Sequence, residues 1–120
     1  MAEYSGRVKA GNLYGTLEML VLQTLRDGGP LHGLQIVDRI RELSQRHLQV
    51  EVGALYPALH RLHHQGLVEG EWQISEKRRR AKFYDISPQG RAALQEEILS
   101  WTEHTQAVRD VLGLKEEESA

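Results

Sequence analysis

The sequence predicts a mainly α-helical chain with one small β-hairpin, closed by a long C-terminal helix. Three observations carry that expectation. Apolar residues recur at helical spacing in three short segments before Gly66, they alternate with polar ones between Val68 and Ile86, and helical spacing resumes after Ser87-Pro88 as far as Leu112.

Composition sets the outer limits. At 120 residues the chain is one domain plus at most an appendage, with a modest core that a partner would help to stabilise. It contains no cysteine, which excludes a disulfide framework and a thiolate zinc site. The N-terminus has no apolar run of signal-peptide length, and no stretch approaches the roughly 18 apolar residues of a membrane span. No membrane partner is expected, and the cytoplasm is the expected location. Net charge is −2, but residues 1–87 hold twelve Lys and Arg against ten Asp and Glu, while 88–120 hold three against seven. The two parts total +2 and −4, so a cationic surface belongs to the first.

Residues 1–12 carry Arg7 and Lys9 among small residues without periodicity and read as a flexible arm. Thr16 then reads as an N-cap, with Glu18 in the positive first turn and Leu17, Leu20, Val21 and Leu25 at helical spacing until Gly28-Gly29-Pro30. A second helix is expected over His32–Gln45. Ile36, Val37, Ile40 and Leu43 form its apolar stripe, and Gly33 near its start permits close packing. Leu48 to Val52 is too short for a helix and reads as an extended link or a one-bridge strand.

The third helix, 53–66, has two unlike faces. Leu55, Leu59 and Leu62 make an apolar stripe, opposed by Tyr56, His60, Arg61, His63 and His64, with no carboxylate among them. A helix that lies in a DNA groove must avoid carboxylates that phosphates would repel, and these side chains can hydrogen-bond, stack or carry positive charge. Pro57 fits only near the first turn, and Gly66 is placed to cap the end. Three short helices with a brief link between the last two match a helix-turn-helix, in which the third helix reads the DNA.

Beyond Gly66, Val68, Gly70, Trp72 and Ile74 alternate with polar residues as in a half-buried strand. Lys82, Tyr84 and Ile86 share one face of a second strand. The two strands enclose a basic tip, with Lys77, Arg78, Arg79, Arg80 and Lys82 inside residues 76–82. Such a run is more often just a solvated loop, and it could also be read as a weak localisation-type patch. Directly after a reading helix it is better explained as a wing on the phosphate backbone or in the minor groove. The fold expected is therefore a winged helix-turn-helix over 13–87.

Ser87 as N-cap and Pro88 at the first helical position open the last helix, and Gly113 closes it. Leu94, Ile98, Trp101, Thr105, Val108 and Leu112 follow in steps of four and three, a heptad seam with surplus apolar face. The seam either folds back on its own domain or joins two chains, and residues 88–113 are expected to be a dimerisation helix. Trp101 is either a large core residue of that dimer or a stacking surface for a flat aromatic effector. Residues 114–120 read as a disordered acidic tail.

At this point the residues resemble a family. Gly15-Thr16-Leu17, Gly29-Pro30-Leu31-His32-Gly33-Leu34-Gln35-Ile36, Gly53-Ala54-Leu55-Tyr56-Pro57-Ala58-Leu59-His60-Arg61-Leu62, Gly66-Leu67-Val68 and Arg80-Ala81-Lys82-Phe83-Tyr84-Asp85-Ile86-Ser87-Pro88-Gln89-Gly90 are similar to the PadR family of bacterial transcriptional regulators. The resemblance runs from Gly15 to about Leu112, and Leu-Tyr-Pro followed by Leu-x-Arg-Leu is its most specific piece. It implies a winged helix-turn-helix, a homodimer built through a single C-terminal helix, and usually repression at an operator. Leu34 stands where the family often has tyrosine, and Phe83-Tyr84 and Ile86-Ser87 replace a common Tyr-Tyr and Leu-Thr. These exchanges leave the fold intact and the effector open.

The function expected is sequence-specific binding of an inverted-repeat, double-stranded operator by a homodimeric repressor. Tyr56, His60, Arg61 and His64 lie nearest the DNA, and Arg61 is the candidate for a bidentate contact to guanine. The alternative is a winged-helix module that binds protein instead. His60, His63 and His64 lie at i, i+3 and i+4, a spacing open to a metal, but no carboxylate or cysteine accompanies them in sequence and no metal or other cofactor is expected. The sequence holds no glycine-rich phosphate loop, nucleophile elbow or assembled catalytic set, so no enzyme is expected.

Overall fold

A computed structural model describes residues 10–114; residues 1–9 of the expected arm (1–12) and 115–120 of the expected tail (114–120) lie outside it, and Leu114 is tied to the end of the C-terminal helix by its amide donating to the Arg109 carbonyl at 2.9 Å. Helix α1 spans Ala10–Gly28. It begins well before the expected cap at Thr16, which lies inside it, so residues 10–12 are helix rather than arm. Ala10 to Tyr14 contain no proline and no β-branched residue, and once a helix is nucleated the turns extend backwards through Gly11 and Gly15, although each glycine costs about 1 kcal/mol against alanine. Leu17, Val21, Leu22 and Leu25 of α1 are buried, and the helix touches α2, α3, β3 and α4, which makes it the centre of the core. Thr24, also buried, satisfies its hydroxyl by donating to the Leu20 carbonyl at 2.7 Å.

After Gly29 and Pro30 comes β1, Leu31–His32, which pairs with Tyr84 and Phe83. Two residues carry no period, so this strand was not expected. Helix α2 is Gly33–Leu43, with Ile36 and Ile40 in the core. Leu43 was expected on that stripe but is 63% exposed, because α2 ends there and its last turn overhangs the core. The link that follows turns over 44–47, with Gln45 and Arg46 at φ 55 and 69, and then runs as a plain link to an extended Glu51, so of the two readings of this stretch it is the link and not the strand.

Helix α3 is Val52–His64, one residue earlier than expected. Leu55, Ala58, Leu59 and Leu62 are fully buried, as the apolar stripe requires. Pro57 sits in the second turn, where it deprives the Gly53 carbonyl of its helical partner. Gly53 is exposed, so water can take that place. Gly66 stops the helix at φ 77, with the Leu67 amide donating to the Leu62 carbonyl at 2.9 Å.

Strands β2, Val68–Ile74, and β3, Arg80–Ile86, form an antiparallel hairpin, and the sheet order is β1-β3-β2. The register places Val68 against Ile86, Gly70 against Tyr84, Trp72 against Lys82 and Ile74 against Arg80. Only the base of this ladder is in the core. Trp72 and Ile74, expected on a half-buried face, are 53% and 68% exposed because the hairpin projects beyond the helices.

Helix α4 is Pro88–Leu112, about 37 Å long. The Ser87 hydroxyl accepts from the Gly90 amide at 3.0 Å and donates to the Gly66 carbonyl at 2.6 Å, tying the start of α4 to the end of α3. Gly90 allows α4 to pass against the chain, since a Cβ there would overlap the Leu67 carbonyl. Gly113 ends the helix in the left-handed region, as expected. Among the described residues, no helix is long and apolar enough to cross a membrane.

Candidate nucleic-acid interface

With Leu55, Ala58, Leu59 and Leu62 turned inward, the helical repeat turns Tyr56, Pro57, His60 and His64 outward, and all four are exposed. No residue of α3 is acidic. Tyr56 has a second role, filling the space above Gly33. A Cβ at Gly33 would overlap its hydroxyl, so the expected close packing at this glycine is the seating of α3 on the start of α2. His32 opens α2, and its amide donates to the Gln35 side chain at 3.0 Å.

Arg61 departs from the sequence reading. It lies about 100° round the helix from His60, on the flank facing α1. There its Nε donates to the Glu18 carboxylate at 2.5 Å, a half-buried ion pair. Glu18, expected only to favour the first turn of α1, is instead the anchor that draws this guanidinium away from the outward face. The pair could not be read from a sequence separation of 43 residues.

The hairpin carries the cationic surface. Lys77, Arg78, Arg79 and Arg80 are exposed at and beside its tip, and Lys82 lies half-buried nearer the core. Arg78 adopts φ 60 where the chain reverses, and the turn is closed by the Ser75 amide donating to the Arg79 carbonyl at 2.7 Å. Arg80 lies over the Trp72 ring at 4.5 Å, and the Lys82 ammonium stands 5.7 Å from the Tyr84 ring centroid. Burial, with a smaller contribution from Tyr56, raises the Tyr84 phenol above the ordinary tyrosine range. It therefore stays neutral beneath Lys82.

Between α3 and the hairpin runs an open groove of about 730 Å³. Tyr56 and His60 line one wall, Trp72, Arg80 and Lys82 the other, and Leu34 of α2 lies at its edge. Asp38 and Glu76 bring carboxylates to its lining. The structure thus brings Tyr56 and His60 together with the wing cations and leaves Arg61 apart. Trp72 was missed as a surface residue because its place in an alternating strand pointed inward.

On α4 the heptad seam divides. Leu94 is fully buried and Ile98 packs partly against the same core. Leu94 was expected between two chains and is instead internal, because the first turns of α4 lie across α1 and β3. Further along, Trp101 and Val108 are each 40% exposed and Leu112 is 64% exposed. The Thr105 hydroxyl donates back to the Trp101 carbonyl at 2.7 Å, which satisfies the one polar member of the seam. Among the described residues, no group of three or more His, Asp or Glu side chains is placed to hold a metal ion.

Three helices, the third with a carboxylate-free outward face, a basic hairpin beside it and a long helix behind define a winged helix-turn-helix protein. The chain belongs to the transcriptional regulator PadR-like family, whose profile matches residues 21–96. A Mycobacterium tuberculosis protein named Transcriptional regulator Rv3488 is 41% identical over 73 residues, which are 61% of this chain. They span 64% of that relative's length. A PadR family transcriptional regulator from Eggerthella lenta shares 30% identity and superposes with a TM-score of 0.69 over 93% of this chain and 97% of its own. A transcriptional regulator from Clostridium thermocellum has the same fold at 21% identity, with a TM-score of 0.75 over 84% of this chain and 97% of its own. The family consists of transcriptional regulators, not enzymes.

Proposed function

We propose that the chain is a sequence-specific DNA-binding repressor that acts in the cytoplasm as a homodimer on an inverted-repeat operator. The observation that supports this most is the shared surface of α3 and the wing. Tyr56, His60 and His64 face outward without a carboxylate on their helix, and the cations of residues 77–82 stand across one groove from them. In this reading α3 enters the major groove with Tyr56, His60 and His64 nearest the base edges. Lys77, Arg78, Arg79, Arg80 and Lys82 contact the phosphate backbone or the adjacent minor groove. A second copy covers the distal seam of Trp101, Thr105, Val108 and Leu112, which the chain's own core leaves uncovered. Trp101 on that seam is the candidate contact for a flat aromatic effector. A dimer bound across a promoter excludes polymerase, which makes repression the expected outcome.

The test is a gel shift with the wild type and an Arg78→Ala, Arg79→Ala double variant at two salt concentrations. Wild-type affinity should fall steeply with salt. The variant should bind all sequences more weakly and flatten the log–log slope by roughly 0.9 per lost phosphate contact. A wild type that binds no duplex at low salt would leave the protein-binding module as the better reading.

A further inference from the structure

We propose that Trp72 is a positioning residue of the DNA-binding surface, holding the Arg80 guanidinium flat on its indole so that Arg80 meets a backbone phosphate already oriented. The inference rests on the DNA-binding reading above and adds a residue that neither composition nor motif points to.

The hairpin register stacks Val68 with Ile86, Gly70 with Tyr84, Trp72 with Lys82 and Ile74 with Arg80 on one face. Glycine at position 70 leaves room for the Lys82 side chain to lie over Tyr84, since a Cβ would stand 2.6 Å from Lys82 Cε and 3.3 Å from Tyr84 Cε2 and the lysine would have to move. The face therefore rises from the core as an alternation of rings and cations. Lys82 stands over Tyr84, and Arg80 lies 4.5 Å above the centre of Trp72. At 53% exposure, Trp72 is not a core residue, and it lines the groove opposite Tyr56 and His60.

How a guanidinium is held decides what it can still do. Pairing with a carboxylate, as Arg61 Nε pairs with Glu18, engages an in-plane donor and offsets the charge. Stacking on an aromatic face uses the π surface and leaves the in-plane N–H donors and the full charge free. Among the described residues no carboxylate forms an ion pair with Arg80. The indole thus restricts the rotamers of a long side chain without consuming what a phosphate would bind, so less freedom is lost when DNA arrives.

The experiment measures binding of a short mixed-sequence duplex at low salt by the wild type, Trp72→Ala, Arg80→Ala, the double variant and Trp72→Phe. Trp72→Ala should weaken binding about two- to fivefold, the equivalent of an exposed cation–π pair, and by no more than Arg80→Ala does. Arg80→Ala should also flatten the salt slope by about 0.9. In the Arg80→Ala background the loss of Trp72 should have no further effect, and Trp72→Phe, which keeps a ring, should recover most of the affinity. Additive losses, an unaffected Trp72→Ala, or a loss exceeding that of Arg80→Ala would each overturn the positioning role while leaving DNA binding in place. A wild type that does not bind the duplex would overturn both readings.

Discussion

Arg61 carries its charge against Glu18 rather than toward a groove, and this sets what its removal should do. A charge-assisted hydrogen bond at a half-exposed site contributes about 1 kcal/mol, so Arg61→Ala should lower unfolding stability by that amount in a urea titration. Base preference at every position of a bound site should stay unchanged. Relaxed preference at one position per half-site, with stability intact, would return Arg61 to the base-reading role its residue type suggests. Arg78 is the opposite case. At φ 60 it occupies a conformation that costs a non-glycine residue about 1 kcal/mol, and no packing at the exposed tip repays it. Arg78→Gly should raise stability by up to about 1 kcal/mol while weakening duplex binding, a trade measurable by paired denaturation and gel-shift experiments.

The junction of α3 and α4 holds α3 against the rest of the fold. Ser87 is 2% exposed and its hydroxyl serves both the Gly66 carbonyl and the Gly90 amide, so one hydroxyl closes the end of one helix and the start of the next. Ser87→Ala removes an N-cap and strands two polar groups, one of them a buried amide, which should cost about 2 to 3 kcal/mol. Ser87→Thr keeps the hydroxyl and should recover part of that loss in the same thermal melt. Equal stability of Ser87→Ala and the wild type would mean that water replaces the hydroxyl there.

For the whole molecule the question is what covers the distal half of α4. Ile98 packs partly on its own core, so a charge there would confuse folding with assembly. Val108 is clear of that core. Val108→Asp should leave the domain folded and place an unpaired carboxylate in the proposed contact between copies, shifting the sedimentation coefficient from dimer to monomer. A wild type that remains monomeric at high micromolar concentration would remove the homodimer. If the dimer holds, a twofold axis places the two α3 helices in major grooves about 34 to 36 Å apart, and duplexes selected from a random pool should carry an inverted repeat.

What the sequence determined by itself was set by period and by local chemistry. Leu55, Leu59 and Leu62 recur at helical spacing, Ser87-Pro88 and Gly113 bracket a 25-residue helix, Gly66 ends α3, and the basic run falls between two alternating stretches as a hairpin tip does. Each of these depends on neighbours within a few residues, so spacing alone reveals it. Tertiary structure decided the rest, because it turned on pairings between distant segments. Glu18 turned Arg61 off the outward face, Tyr84 recruited Leu31 as a third strand, the core claimed Leu94 from the seam, and the projecting hairpin carried Trp72 outward to lie beneath Arg80. A strand's alternation shows which residues share a face, but only the packing of the sheet on the helices determines whether that face is covered.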